Sequence, residues 1–194
     1  IMGMCADNQY IWMGVYEKGL YRFSPSTHTF KHYDLSVVSG NSNANKVSNV
    51  HRDVDGNIWI QGSVLLILNT ENDCFTTVND VWGISSILFD GDTVWLGSYS
   101  GLYKLDRKTH DILAHYYEGS EEFPLESNDI RYIYMDSKRH LWLSTVSGLF
   151  KLDLETSELT SYTERRELAN NRVVSIVEDT QGYLWMGSFK GLYK

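Results

Sequence analysis

A pattern of fifteen or sixteen residues recurs five times along this chain, and no copy is long enough to bury a hydrophobic face alone. The copies run Asp7–Arg22, Asp53–Leu68, Asp90–Lys104, Asp136–Lys151 and Asp179–Lys194. Each opens on an aspartate and reaches a tryptophan five or six residues later. All but the second close on a Gly-Leu-aromatic triplet. The tryptophans are Trp12, Trp59, Trp95, Trp142 and Trp185, with separations of 47, 36, 47 and 43 residues. Their mean, about 43, matches the roughly 40–45 residues of a four-stranded propeller blade.

Within each unit the residues predict four short strands. The first precedes the aspartate: Val47–His51, Ile84–Phe89, Ile130–Met135 and Val173–Val177 are rich in β-branched and aromatic residues. Asp-Gly or Gln-Gly pairs then mark a hairpin turn. The second strand carries the tryptophan between apolar flanks, as expected of a strand covered on both faces. The third starts at the Gly of the triplet (Gly19, Gly101, Gly148, Gly191), with Leu65 standing in that place in copy two. The fourth comprises Phe30–Tyr33, Phe75–Val78, Ile112–Tyr116 and Leu159–Tyr162. No segment holds a helical period over three turns, so no helix is expected. Copy two, lacking the Gly and carrying Gln61, is expected to be irregular over Gln61–Leu65.

The fold expected is all-β: a partial β-propeller of four four-stranded blades plus most of a fifth. The blades fall near residues 1–33, 45–78, 83–117, 129–163 and 172–194. Seven blades would need roughly 300 residues, so the expectation is an unclosed segment of a larger ring. Its end blades would then expose apolar faces to further blades of a parent chain or to copies of itself. Between blades, the Ser/Asn-rich Asp34–Lys46, the very short Asn79–Gly83, the acidic Glu118–Asp129 and the charged Glu164–Arg172 vary freely. A repeat scaffold places recognition in such loops.

The totals exclude several classes. A net charge of −8 and the absence of a Lys/Arg run argue against nucleic acid. The longest apolar run, Val64–Leu68, is far below the ~20 residues of a membrane helix, so no direct membrane contact is expected. Cys5 and Cys74 occupy non-equivalent repeat positions and read as lone buried thiols. The six histidines are scattered, without metal-ligand spacing, and Gly97–Gly101 places Ser on either side of Tyr99 instead of at the centre of a nucleophile elbow. The repeated aspartates read as turn formers and the tryptophans as inter-blade packing. No catalytic residue, metal or cofactor is expected.

The pattern D-x₃₋₄-[IVL]-W-[ILM]-x-[ST]-x₂-G-L-[YF], followed by D-x₂-T-x₂-[FL]-x₂-Y, resembles the two-component-regulator propeller repeat. Asn45, Asn128 and Asn171, each 14 residues before its tryptophan, agree with it. The resemblance implies part of the periplasmic sensor region of a hybrid two-component histidine kinase, anchored by a membrane helix outside this segment and responding to a glycan. The pattern fits neither a WD repeat nor a sialidase-type Asp box.

The residues suggest where a ligand would sit. Position four after each tryptophan holds Tyr16, Ser63, Tyr99, Val146 and Phe189, in the loop between second and third strands. Tyr16, Tyr99 and Phe189 would then share a face with Trp82, Arg131 and the three asparagines Asn45, Asn128 and Asn171. Aromatic faces beside amide and guanidinium donors suit an oligosaccharide. The competing reading is that these aromatics only cap the blades, leaving a protein-interaction or dimerisation propeller without a small ligand.

Overall fold

The computed structural model describes residues 1–120, 125–162 and 173–194; Phe123-Pro124 and Glu164–Arg172, with Asn171, lie outside the described residues. Among the described residues, the strands form four four-stranded antiparallel sheets and one three-stranded antiparallel sheet, each a blade. Blade one is β1 (Gly3–Ala6), β2 (Ile11–Val15), β3 (Gly19–Ser24) and β4 (Thr29–Tyr33). Blade two is β5 (Val47–Arg52), β6 (Ile58–Gly62), β7 (Leu65–Asn69) and β8 (Cys74–Val78). These two make one compact unit, Ile1–Ile84.

The second unit, Ser85–Lys194, holds the other three blades. Blade three is β9 (Ile84–Asp90), β10 (Thr93–Ser98), β11 (Gly101–Asp106) and β12 (Ile112–Tyr116). Blade four is β13 (Ile130–Met135), β14 (His140–Thr145), β15 (Leu149–Asp153) and β16 (Leu159–Ser161). Blade five is β17 (Val173–Glu178), β18 (Leu184–Ser188) and β19 (Gly191–Tyr193). The predicted strands are present, with ends moved by a residue or two.

Contrary to the sequence expectation, one helical turn exists: α1 (Leu35–Ser39), in the Ser/Asn-rich loop. The Asp34 carboxylate caps it by accepting from the Ser36 N–H at 3.0 Å, and Gly40 ends it at φ 68°. A single turn is too short to show a 3.6-residue period, so its only sequence signal is this cap and stop.

The aspartates do more than form turns. Asp136 Oδ1 accepts from the N–H groups of Lys138 and His140 across the hairpin. Its Oδ2 accepts the Trp142 indole N–H at 2.9 Å and contacts His140 Nδ1 at 2.8 Å. The same latch joins Asp7 to Trp12, Asp53 to Trp59 and Asp179 to Trp185. Each carboxylate therefore fixes a turn and satisfies the indole donor of its blade's tryptophan. A cation then lies over the ring: the Arg22 guanidinium is 5.6 Å from the Trp12 centroid, and Lys104 and Lys194 stand similarly over Trp95 and Trp185. Every triplet is followed by Arg or Lys, a regularity of the repeat whose role shows only in this stacking.

Blade three breaks the latch. Its hairpin has only Gly91-Asp92 between the strands, which keeps Asp90 within β9. The carboxylate instead forms a two-pronged ion pair with Arg139 of blade four, at 2.6 and 2.8 Å. Trp95 Nε1 is left buried with no hydrogen-bond partner among the described residues. An unsatisfied buried donor costs about 1–3 kcal/mol.

Blades within a unit meet through the residue two after each tryptophan. A Cβ on Gly14 would lie 2.5 Å from Val47 Cγ1 of blade two, and one on Gly97 would lie 2.8 Å from Ile130 Cγ2 of blade four. Where the position is polar, the side chain reaches the same next strand within its unit: Ser144 Oγ donates to the Val173 carbonyl of blade five at 2.6 Å. The cores around these contacts are Trp12, Leu20, Val47, Val50, Ile60 and Leu66 in the first unit, and Leu102, Ile130, Leu143 and Phe150 in the second.

Copy two also differs from its expected form. Leu65 pairs with Val78 as Leu20 pairs with Tyr33 and Leu102 with Tyr116, so Leu65 matches the Leu of the triplet and Val64 stands where the Gly would be. The β6–β7 connection is one residue shorter, and Trp59 faces Ile67 eight residues on, where Trp95 faces Lys104 nine on. Shortening the turn removes the need for positive φ, which Gly101 adopts at +120°. Neither cysteine is the fully buried thiol expected. Cys5 is partly buried, which pushes its thiol up to about 11, and Cys74 is exposed; both are unpaired.

The latch and the triplet generate two stability predictions. Asp136→Ala removes four hydrogen bonds and orphans the Trp142 donor, so denaturant unfolding is expected to show a loss of about 2–4 kcal/mol. Asp90→Ala removes an ion pair whose Arg139 side chain is 55% exposed and is expected to lose about 1 kcal/mol or less; equal losses would refute the latch. Burial alone would raise the Asp136 carboxyl, but the bonds from Trp142 and His140 together hold it below its ordinary 3.8. The latch therefore contributes fully above that value and is lost as pH falls through the lower folded one, a dependence Asp136→Ala abolishes.

Gly101→Ala would place Cβ 2.2 Å from the Tyr116 carbonyl oxygen at a positive φ, whereas a Cβ on Gly191 meets nothing within 4 Å. The first substitution is expected to lower the melting temperature well beyond the second, where backbone strain acts alone.

Candidate functional site

The two units present their second-to-third-strand loops separately. In the second unit, the β10–β11 turn carries Tyr99, 57% exposed. The Arg131 guanidinium, on β13 of the next blade, lies 4.6 Å from the centre of that ring. Asp129, at the end of the loop leading into β13, holds Arg131 by an ion pair in which Oδ2 accepts from the guanidinium Nη2 at 2.6 Å, with Oδ1 close to Nε but not aligned for a hydrogen bond. The Asp129 carbonyl accepts from the N–H of Val146, which sits in the β14–β15 turn. Tyr99, Arg131 and Val146 therefore come together at one end of blades three and four.

The Tyr99 ring rests on the guanidinium, and the residue remains more than half exposed. Cation–π contacts of this kind hold a ring in place with about 0.5–2 kcal/mol. Behind it, His115 Nε2 donates to the Ser100 carbonyl at 2.8 Å, while its imidazole stacks on Tyr103 at 3.9 Å between centroids. The turn under Tyr99 is thus clamped. In blade one the equivalent His32 donates to the Lys18 carbonyl and stacks on Tyr21 at 4.5 Å. Two of the scattered histidines are therefore equivalent after all, and their sequence signal is the His-Tyr pair that ends both fourth strands.

The asparagines sit differently from their expected role. Asn45 Oδ1 accepts the Leu35 N–H at 2.9 Å and its Nδ2 donates to Asp34 at 2.8 Å. Asn128 Oδ1 accepts the Glu118 N–H at 2.6 Å. Leu35 and Glu118 each stand two residues beyond the end of a fourth strand, so this asparagine staples the start of the inter-blade loop to its end. Bonds from the Ser36 side chain and Asn45 hold the Asp34 carboxyl down at about 2. Asn171 lies outside the described residues.

Phe189 is 80% exposed in the β18–β19 turn, and Tyr16, 50% exposed, occupies the matching turn of blade one in the first unit. Trp82, also in the first unit, is 60% exposed. Among the described residues, no group of three or more His, Cys, Asp or Glu could hold a metal ion, and no helix is long and apolar enough to cross a membrane.

Residues 167–190 match the family described as the two component regulator propeller, a stretch that overlaps the fifth copy of the repeat. The chain also resembles the extracellular domain of the putative hybrid two component system BT3049 from B. thetaiotaomicron, with a TM-score of 0.80 and 23% identity, over 98% of this chain and 28% of that one. It resembles the extracellular domain of the putative hybrid two component system BT4673 of the same organism at 0.75 and 20%, over 98% and 26%. PorZ, a surface component of the type-IX secretion system of Porphyromonas gingivalis, matches at 0.69 and 18%, over 98% and 31%. No curated protein matches. At these identities the likeness is one of fold, and the chain spans less than a third of each of these three structures.

Proposed function

We propose that this chain is a ligand-sensing segment of the extracytoplasmic sensor of a hybrid two-component system, exposed to the periplasm, and that its ligand is of the glycan type. The repeat match at residues 167–190 and the two extracellular sensor domains that share the fold support the sensor role. The observation that carries the ligand reading is the Tyr99–Arg131–Asp129 stack. A braced aromatic face offers a platform for the C–H face of a sugar, and the edge of the guanidinium offers donors to its hydroxyls. The segment's part is recognition; signalling by phosphorelay would belong to the rest of a parent chain, with which it would pack through further blades.

A second reading, a protein-interaction or self-association surface, draws on the fifth blade. There Val177, Phe189 and Leu192 are 59%, 80% and 66% exposed. Light scattering on the purified chain separates the two readings in part, because only the second requires concentration-dependent association.

Calorimetric titration with a panel of neutral and acidic oligosaccharides tests the first. For a sugar that binds, Tyr99→Ala is expected to weaken affinity by about 1–3 kcal/mol, and Arg131→Ala by a similar amount through loss of the brace. If a saccharide binds and neither change affects it, the ligand face is not here.

A further inference from the structure

At the other end of blade one from Tyr16, the β1–β2 hairpin borders a cleft of about 280 Å³ lined by Asp7, Tyr10, Trp12, Arg22, Arg52 and Thr70, among others. Two of these side chains are guanidiniums, and among the described residues neither forms an ion pair with a carboxylate. Arg22 is positioned by stacking, its guanidinium carbon 4.3 Å from the Tyr10 ring centre and 5.6 Å from that of Trp12. Arg52 lies along the neighbouring turn. A Cβ on Gly56 would come within 3.1 Å of its Nη2 and 3.8 Å of Thr70 Oγ1, so the glycine leaves room for the guanidinium beside that hydroxyl.

Among the described residues, Asp7 is the one carboxylate lining this cleft, and both its oxygens are committed. Oδ1 accepts from the N–H groups of Gln9 and Tyr10, and Oδ2 from the Trp12 indole. The lining therefore presents two cations against one anion whose oxygens are taken by neutral donors and which Arg52 reaches only through longer-range attraction. Arg22 and Arg52 retain most of their N–H donors. Arginine forks match the geometry of carboxylate and sulfate oxygens better than any other side chain does.

A second cleft of about 240 Å³ adjoins, sharing Tyr10 and Arg22 and lined by Ser24, Ser26, Thr27 and Thr29 beside Phe30. Phe30 is 64% exposed. Hydroxyls around an open aromatic ring suit a hydroxylated body carried by the anion.

We propose that this pair of clefts binds a small hydroxylated oxyanion, its carboxylate or sulfate held by Arg22 and Arg52 and its hydroxylated body lying toward Phe30. The site is separate from the Tyr99 face and does not depend on it. Arg22 belongs to the repeat, where the matching residues are Lys104, Lys151 and Lys194, whereas Arg52 has no counterpart: its position holds Phe89, Met135 and Glu178 in the later copies. A cation needed only to cap the tryptophan would not call for the second one.

The test is calorimetric titration of the whole chain with glucuronate, with inorganic sulfate and with glucose at low ionic strength. Glucuronate is expected to bind, and glucose is not. Arg52→Ala, an exposed position whose melting temperature should be unchanged, is expected to weaken glucuronate at least about tenfold. Arg22→Lys keeps a cation over Trp12 but removes the fork, and is expected to weaken it likewise. Tyr99→Ala is expected to leave it alone, which separates this site from the one under Proposed function. Sulfate binding as tightly as glucuronate, with the same dependence on Arg52, supports the oxyanion site and identifies the free anion as sufficient. Absence of binding by both anions, equal binding of glucose, or glucuronate affinity indifferent to Arg52→Ala would overturn the proposal.

Discussion

The hydrogen bond from the tryptophan indole to the carboxylate at the head of the hairpin, made in four of the five blades, joins two otherwise separate problems. A tryptophan supplies the largest apolar surface a blade can bury, but it carries an N–H that must find an acceptor. A hairpin turn needs its free backbone N–H groups satisfied. One aspartate does both, with Oδ1 given to the turn and Oδ2 to the indole, in blades one, two, four and five. The turn consequently sets the depth of the ring, and the ring sets which faces of neighbouring strands can pack. Blade three, with only two residues between its first and second strands, is the counterexample: its carboxylate moves to an inter-blade ion pair and the Trp95 donor goes without a partner.

Contact between blades rests on a second fixed position, two residues beyond the tryptophan. Within a unit, glycine there lets the next blade's first strand approach with its Val47 or Ile130 side chain, and Ser144 there donates to that strand's first carbonyl. Both solutions satisfy the same geometry by different means: one removes atoms, the other adds a donor. The residue at this position therefore varies among the copies although its role is constant. Polar contacts at the hairpin end reinforce the arrangement, as where Ser137 donates through both its N–H and its hydroxyl to Glu178 of the next blade.

The strands and their order are legible in the sequence because alternation and turn residues are local signals repeated five times. The features that are not legible depend on partners distant along the chain. Leu65 reads as a replacement for a glycine because counting from Trp59 assumes a constant turn; pairing with Val78 shows the turn to be one residue shorter. Asn45 and Asn128 look like donors awaiting a ligand, since their spacing gives their place in the repeat but not the Leu35 and Glu118 N–H groups they bind. His32 and His115 lack ligand spacing, yet they clamp equivalent turns. The meeting of Tyr99 with Arg131 is readable as a shared face, though nothing in the sequence indicates that Asp129 would brace it.

The distinction between repeated and unrepeated residues organises both candidate sites. In each, a repeat position supplies a rigid group: the ring of Tyr99, matched by Tyr16 and Phe189, and the cation of Arg22, matched by three lysines. In each, a residue found once supplies the departure. Arg131 stands where the other asparagine-headed strands have Ser48 and Val174, and Arg52 stands where the later units have Phe89, Met135 and Glu178. Repeat residues hold their geometry because the fold requires it in every blade, so they give a site a stiff framework at little added cost. They cannot give selectivity, since five equivalent positions would bind five times over. On the two proposed readings, a solitary charged residue set beside such a framework would convert a packing motif into a recognition element without disturbing the latch that stabilises the blade.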